Sequence, residues 1–291
     1  MTSLTDSSLV EINFDLGQSG SKFSIVSTTS GTALLKSRAG DSRFQRQFEK
    51  HFAAQSRSLG GMKAPRVLSS YRNDEYLMEI LHAVPLGLGL NRMSLDQVGV
   101  ISVKISNYFH EIFSAAIQAD DECLQLISTK LELLDEVMQR KDYLLYSKAI
   151  HLLFNARNLV NFNQGWNHGD FSFENVLVPQ SGSDSNVYLI DFLDSPFDSP
   201  MIDLGRFWLD LNYGWWGNKF TPSAAWRINN KVLRDNFLEL VASLKVPLPA
   251  LYYFTLLASL RILPYTKNPV RLAHLKSSIG DIVKRSEEWQ F

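Results

Sequence analysis

The chain has 291 residues and 45% of them are hydrophobic, so it can bury a substantial core in one large domain or two modest ones. Its 29 basic and 30 acidic side chains give a formal net charge of −1, which offers no global electrostatic reason to expect a nucleic acid or an anionic membrane as partner. No uncharged apolar run reaches the roughly 18 residues that a membrane span needs, so we expect a soluble, cytoplasmic protein without membrane insertion.

The chain between about residues 11 and 81 alternates short β-rich segments with turn residues. One helix is predicted inside this region from Ser42, because phenylalanines recur every fourth residue at positions 44, 48 and 52. We expect this apolar stripe to pack on a small sheet. The sheet strands are predicted at Phe23–Ser27, Thr32–Lys36, Val67–Tyr71 and Tyr76–Ile80.

After residue 89 the pattern becomes mainly helical. Apolar residues recur at helical spacing over Ser94–Ala119 and Cys123–Phe154, and again after the Thr221-Pro222 pair, which is predicted to begin a helix. The helices are interrupted once, where short apolar runs at 176–178 and 187–190 flank a turn rich in Ser, Gly, Asp and Asn. A β-hairpin embedded among helices is therefore predicted.

This interruption carries three polar residues suited to phosphoryl transfer. Asp170 precedes the hairpin, Asn175 follows five positions later, and Asp191 ends the second strand. Phosphoryl transfer needs a carboxylate that orients the attacking hydroxyl and accepts its proton, and oxygen ligands that hold magnesium against the phosphates. Asp170 suits the first task, and Asn175 with Asp191 suits the second, since a hairpin between them can bring the two ligands to one side.

The same segments resemble the aminoglycoside phosphotransferase and choline kinase family. His168-Gly169-Asp170 with Asn175 matches the family pattern H-G-D-x-x-x-x-N, and the residues around Asp191 match I-D-[FW]. The resemblance implies that Asp170 is the catalytic base, that Asn175 and Asp191 bind Mg²⁺, and that His168 braces the loop. In protein kinases an Arg stands where this chain has Gly169, which favours the small-molecule branch.

The resemblance also implies an α+β, bilobal protein-kinase-like fold, with a small antiparallel sheet in the N-terminal lobe and a mainly helical C-terminal lobe. We expect the lobes at residues 1–83 and 84–291, with ATP in the cleft between them. The linker around Glu79 to Leu81 would receive adenine through its backbone.

In the N-terminal lobe the resemblance assigns further residues to the nucleotide. Gly17 and Gly20 lie in a Gly/Ser-rich turn that would cover the phosphates, and Lys36 ends a strand where the family carries its phosphate-binding lysine. Glu49, the acidic residue of the predicted helix, is the candidate for an ion pair with Lys36, and a solvent-facing Glu49 is the alternative.

A segment after the hairpin, from Pro200 to Gly205, resembles the family's D-P-x-x-D-L-[AG]. Asp203 would hold the catalytic loop by hydrogen bonds, although an ordinary helix cap is an equal interpretation. The family's first Asp is replaced here by Ser199.

The acceptor is expected to be a small-molecule hydroxyl, on a sugar, an amino alcohol or an aminoglycoside-like compound. A loop with Trp215 and Trp216 predicts either a ring-stacking site or an anchor on the core. The segment around Arg261 resembles bacterial relatives associated with surface-polysaccharide synthesis, which slightly favours a sugar, but Arg261 also fits a structural ion pair. A catalytically inactive kinase-like binding module and a protein kinase stay open as alternatives, and the sequence leaves the oligomeric state undetermined.

Overall fold

The structure is a computed structural model that describes residues 9–10, 22–28, 31–38, 42–72, 74–140, 146–157, 163–180, 186–193, 195, 197–219 and 221–286. Its N-terminal part is a five-stranded antiparallel sheet in the order β1-β2-β3-β5-β4. The strands are β1 (Leu9–Val10), β2 (Lys22–Thr28), β3 (Gly31–Ser37), β4 (Val67–Arg72) and β5 (Glu75–Glu79). This confirms the predicted antiparallel N-terminal lobe.

The helix α1 (Ser42–Ala54) packs on this sheet through the first part of its apolar stripe. Phe44 is buried, and the rings of Phe44 and Phe48 lie 5.6 and 5.1 Å from the ring of Tyr76 on β5. Phe52 is 58% exposed, because the stripe runs past the surface that the sheet covers. The opposite side of α1 faces the segment after Asp191, where the His51 ring lies 5.4 Å from the Phe192 ring.

A second sheet carries the predicted hairpin. Strand β9 (Val176–Pro179) pairs with β10 (Tyr188–Leu189), and β6 (Ala83–Pro85) adds to the other side of β9. The short β6 was not predicted, because a strand of three residues is too short to show an alternation of apolar and polar side chains. Strand β6 begins at Ala83, where the boundary between the two lobes was predicted. The position of this boundary stays a prediction. The remaining strands, β7 (Ile117–Gln118) and β8 (Asn163–Gln164), pair with each other.

The rest of the described chain is mainly helical, as predicted. A capping box between Ser94 and Gln97 begins α3, whereas Ser223 and not Thr221 caps α7. In the described residues no helix is long and apolar enough to cross a membrane. The helices are α2 (Leu86–Gly89), α3 (Leu95–Ser114), α4 (Asp121–Arg140), α5 (Ser147–Ala156), α6 (Pro200–Tyr213), α7 (Ala224–Ser243), α8 (Leu248–Ile262) and α9 (Pro269–Arg285).

Helix α6 lies at the centre of this helical part, and its residues are buried from Pro200 to Leu211. It packs closely on α8 at Gly205, where a Cβ atom would lie 2.5 Å from the backbone carbonyl carbon of Phe254. Any side chain larger than hydrogen would push the two helices apart. The charged residues of α6 consequently lie inside the molecule.

Candidate active site

The loop from His168 to Asn175 is anchored by Asp203 in the first turn of α6. The Asp203 carboxylate is fully buried and accepts hydrogen bonds from the backbone N–H groups of His168 (2.6 Å) and Gly169 (2.8 Å) and from the Tyr108 hydroxyl (2.6 Å). Burial raises the pKa of Asp203 to about 6, and the three donors oppose that rise. Asp203 therefore ties the start of the loop to the helical core.

His168 links the two predicted motif segments. Its Nδ1 accepts from the Asp170 backbone N–H at 3.3 Å, so the proton of the neutral ring is on Nε2, which donates to the Ile190 carbonyl oxygen at 2.8 Å. The ring also packs on Phe192 with a centroid separation of 4.5 Å. Burial lowers the pKa of His168 to about 4, which keeps the ring neutral at pH 7.

Gly169 is needed where the loop passes the segment after Asp191. Its φ of 91° is in the region that favours glycine, and a Cβ atom here would lie 2.5 Å from the Leu193 carbonyl oxygen. The Leu193 N–H donates to the His168 carbonyl oxygen at 2.9 Å, which holds the two segments at this short separation.

Asp170 and Asn175 are in direct contact. The Asn175 Nδ2 group donates to the carbonyl oxygen and to Oδ2 of Asp170, both at 2.9 Å. Both amide hydrogens are therefore used, and the Oδ1 atom of Asn175 is the end left to bind a ligand. The Asn175 carbonyl oxygen accepts from the Ile190 N–H at 3.0 Å, so the hairpin brings Asn175 next to the segment that contains Asp191.

The sequence reasoning missed two residues of the site, Arg206 and Asp210. Arg206 Nε donates to Asp170 Oδ1 at 2.7 Å, and its Nη1 donates to Asp210 Oδ2 at 3.0 Å. Asp210 also accepts from the backbone N–H groups of Phe173 (2.9 Å) and Trp216 (3.0 Å). The sequence contained a signal for both residues. Asp203, Arg206 and Asp210 are three and four residues apart in a mainly apolar helix, so they lie on one face of it.

Trp215 and Trp216 follow α6 and are 4% and 6% exposed. The Arg271 guanidinium lies 4.1 Å from the centroid of the Trp215 ring. Their burial favours the interpretation as an anchor on the core.

Lys36 and Asp191 form a nearly buried ion pair between the two sheets. The Lys36 Nζ atom on β3 lies 2.6 Å from Asp191 Oδ1, with side-chain exposures of 3% and 24%. Burial alone would raise the pKa of Asp191, but the Lys36 ammonium outweighs it and holds that pKa below its ordinary value. Asp191 has a φ of 62°, an uncommon conformation that Asp tolerates better than most residues.

The structure corrects the prediction for Glu49. Glu49 is exposed and accepts from Gln45 at 3.0 Å, so it is not the partner of Lys36. The next residue, Lys50, faces the helical part instead, because one helical step turns a side chain by about 100°. Its Nζ donates to Asn167 Oδ1 (2.7 Å), to Asp198 Oδ1 (2.9 Å) and to the Leu193 carbonyl oxygen (3.0 Å).

The other residues that were predicted to bind the nucleotide are Glu79, Leu81, Gly17 and Gly20. Glu79 ends β5, and its carboxylate accepts from the Arg66 backbone N–H at 2.8 Å. Leu81 is partly buried just beyond it, and we find no hydrogen bond of its backbone in the described part of the chain. Gly17 and Gly20 lie outside the described residues, so their role stays a prediction.

The oxygen atoms at the end of the hairpin fit a magnesium ion. Asn175 offers Oδ1, and Asp191 offers Oδ2 beyond the oxygen that contacts Lys36. Magnesium is commonly held by one or two protein oxygens together with water and substrate phosphates, so this small donor set is sufficient. Among the described residues no group of three or more His, Cys, Asp or Glu side chains forms a denser metal site.

Several known proteins are similar to this chain. The model of the APH family, described as the phosphotransferase enzyme family, matches residues 12–229. No curated protein matches the sequence.

Solved structures with a similar fold include a thermostable mutant of aminoglycoside phosphotransferase APH(4)-Ia in complex with ADP and hygromycin B. It has a TM-score of 0.63 and 13% identity, over 95% of this chain and 94% of that one. Ethanolamine kinase from Plasmodium vivax has a TM-score of 0.57 and 12% identity, over 97% and 84% of the two chains. A glucosamine kinase has a TM-score of 0.51 and 14% identity, over 97% and 95%. These similarities confirm the predicted kinase-like fold.

Proposed function

Because the chain belongs to the phosphotransferase enzyme family, we propose that it uses ATP and Mg²⁺ to phosphorylate a hydroxyl group of a small molecule. The observation that carries the proposal is one connected set of contacts. Lys36 contacts Asp191, the hairpin joins the Asp191 segment to Asn175, and Asn175 contacts Asp170. A cation, two oxygens suited to bind a metal and a carboxylate suited to act as a base are therefore linked by contacts, which supports the arrangement that phosphoryl transfer requires.

Asp170 is the residue that we assign as the base. Its carboxylate has about four acceptor positions, and Arg206 and Asn175 occupy one on each oxygen. The side chain is 29% exposed, so the remaining positions can meet an acceptor hydroxyl. Asp170 would orient this hydroxyl and take its proton as the hydroxyl oxygen bonds to the γ-phosphorus of ATP and the bond from that phosphorus to the bridging oxygen breaks, which releases ADP.

Arg206 and Asn175 hold the Asp170 carboxylate in a fixed orientation before substrate arrives. Both donors are themselves fixed, Arg206 by Asp210 and Asn175 by the hairpin. Such preorganisation is a main source of rate enhancement in phosphoryl transfer, where the protein chiefly positions charges.

On the nucleotide side, Asn175 Oδ1 and Asp191 would hold Mg²⁺, which neutralises phosphate charge when it is bound. Lys36, next to Asp191, would bind the phosphates, and Gly17 and Gly20 would cover them. The backbone of Leu81, just beyond Glu79, would receive adenine. The lobes at residues 1–83 and 84–291 would meet at this cleft.

The proposal is tested by incubating the protein with Mg-ATP and a metabolite pool and screening by mass spectrometry for products heavier by one phosphate. Asp170→Asn should reduce product formation by about 10²- to 10⁴-fold, the usual contribution of a positioned base, while nucleotide binding is retained. Asp235→Asn, an exposed change on α7, is the matched control and should behave as wild type. Undiminished turnover in Asp170→Asn would contradict the role of Asp170, and phosphate found only on proteins would favour a protein kinase.

A further inference from the structure

Lys36, the proposed phosphate-binding residue, has no acidic partner on helix α1. In protein kinases an ion pair with a glutamate of such a helix must hold this lysine in place for catalysis. Here Glu49 is exposed and bonds to Gln45, and within the described residues Asp191 is the carboxylate that pairs with Lys36. Asp191 is also a proposed ligand of Mg²⁺, so one carboxylate serves two cations. A second group is needed to fix the Lys36 side chain.

The Tyr76 side chain lies beside Lys36 in the sheet. The two residues are directly opposite each other on the antiparallel strands β3 and β5, so their side chains leave the same face of the sheet. Both residues are only 2% exposed. Burial lowers the pKa of Lys36, but the Asp191 carboxylate and the Tyr76 hydroxyl, both through charge and hydrogen bonding, raise it above its ordinary value. The Lys36 ammonium is thus held by two side chains, a carboxylate and a hydroxyl.

His51 of α1 orients the Tyr76 hydroxyl. Its Nε2 atom lies 2.8 Å from the Pro65 carbonyl oxygen, which can only accept, so Nε2 carries the proton of the neutral ring. Burial lowers the pKa of His51 to about 4, which keeps the ring neutral at pH 7. The Nδ1 atom is consequently an acceptor, and the Tyr76 hydroxyl donates to it at 3.4 Å. With its hydrogen used in this bond, the hydroxyl presents its oxygen lone pairs to the Lys36 ammonium.

The Tyr76 ring is itself held by α1. The rings of Phe44 and Phe48 lie 5.6 and 5.1 Å from it, and the His51 ring meets it edge-on at 5.7 Å. These ring contacts do not depend on the hydroxyl, so a phenylalanine at position 76 would keep them and lose only the polar contacts. The hydroxyl can therefore be removed with little change in packing.

We propose that Tyr76, with its hydroxyl oriented by His51, positions Lys36 for the phosphates of the nucleotide. This rests on the proposed function, in which Lys36 binds those phosphates. Tyr76 is a positioning residue that acts through Lys36. A neutral hydroxyl adds no negative charge beside the phosphates, and it holds the ammonium even when the Asp191 carboxylate is shared with Mg²⁺.

The test measures the affinity of the full chain for Mg-AMP-PNP by isothermal titration calorimetry, which does not require the acceptor to be known. Tyr76→Phe should weaken this affinity by about tenfold, the usual effect of losing one hydrogen bond to a charged group. Tyr253→Phe is the matched control and should bind as the wild type. Tyr253 is a buried tyrosine of α8 whose hydroxyl has no hydrogen-bond partner in the described part of the chain.

A background without the Lys36 ammonium separates positioning from a general disturbance of the cleft. Lys36→Met should itself weaken Mg-AMP-PNP binding. Adding Tyr76→Phe to it should cause no further loss, because no ammonium is left to position. A merely structural role of the hydroxyl would instead give the same loss in both backgrounds.

The proposal is overturned if Tyr76→Phe binds Mg-AMP-PNP as tightly as Tyr253→Phe, or if its loss is as large without Lys36 as with it. It is also overturned if Lys36→Met binds as the wild type, since Lys36 then does not hold the phosphates. Product formation and its dependence on Asp170 are measured separately, so these outcomes leave the proposed function testable. A wild-type chain that binds no Mg-AMP-PNP would contradict the proposed function itself.

Discussion

Two groups of charged side chains in the candidate active site differ in how their charges are satisfied. In the first, which we call the carboxylate network, Asp203, Asp210, Asp170 and Arg206 bond to one another or to loop donors at 2.6 to 3.0 Å. In the second, Lys36 and Asp191 form a single ion pair of 2.6 Å through one oxygen of the Asp191 carboxylate. The network is satisfied by groups of the protein alone, whereas the pair would also serve the phosphates and Mg²⁺.

The first group positions the catalytic loop, and the second is suited to recognise a ligand. A carboxylate with all its donors in place holds the loop in one geometry whether or not substrate is bound. Asp191 uses one oxygen for Lys36 and offers Oδ2 beyond it, so this pair is suited to bind a ligand. Stability measurements can therefore distinguish the two groups.

The largest expected effect comes from Asp203→Ala. It leaves two backbone N–H groups and the Tyr108 hydroxyl buried without an acceptor, so we expect a loss of about 3–5 kcal/mol in the free energy of unfolding. Urea denaturation measures this loss. Tyr108→Phe, which removes one of the three donors and keeps the ring, should cost markedly less. A cost for Asp203→Ala no greater than that of the exposed change Lys231→Gln would contradict the anchoring role of Asp203.

A somewhat smaller effect is expected from pH, through His168. Its folded pKa of about 4 lies below the ordinary 6.5, so the unfolded state binds more protons between these values. His168 contributes on the order of 3 kcal/mol to the free energy of unfolding above pH 6.5, and this contribution is lost as the pH falls toward 4. Asp203 acts in the opposite sense, because its pKa is raised to about 6 and its contribution is lost as pH rises through that value.

The effect of His168 is isolated by comparing the wild type with His168→Gln. The difference in their unfolding free energies, measured in urea at steps from pH 7 to pH 4, should shrink as the pH falls. A difference that stays constant over this range would show that His168 does not resist protonation.

The smallest expected effect concerns the contact between α1 and the loop after Asp191. Lys50→Gln removes an ammonium that bonds to Asn167, Asp198 and Leu193, and should cost about 2 kcal/mol. Lys231→Gln, which breaks an exposed pair with Asp235, is the matched control and should change stability much less. Equal effects of the two changes would mean that Lys50 behaves as a surface lysine.

The sequence by itself determined the elements that depend on short stretches of chain. The hairpin follows from alternating runs around a polar turn, and it places Asn175 beside the Asp191 segment through the 3.0 Å bond to Ile190. The helical region that begins at Ser94 follows from the spacing of its apolar residues. The positions of strands β2 to β5 and the family resemblance rest on the same kind of local signal, because periodicity and motif spacing are properties of residues close together in the chain.

Only the tertiary structure decided how the helices are rotated and which distant residues meet. The choice of Lys50 over Glu49 depends on the rotation of α1 on the sheet, and the contact of Arg206 with Asp170 depends on how closely α6 approaches the loop. No local pattern encodes these contacts, because packing of the whole core sets the distances between elements.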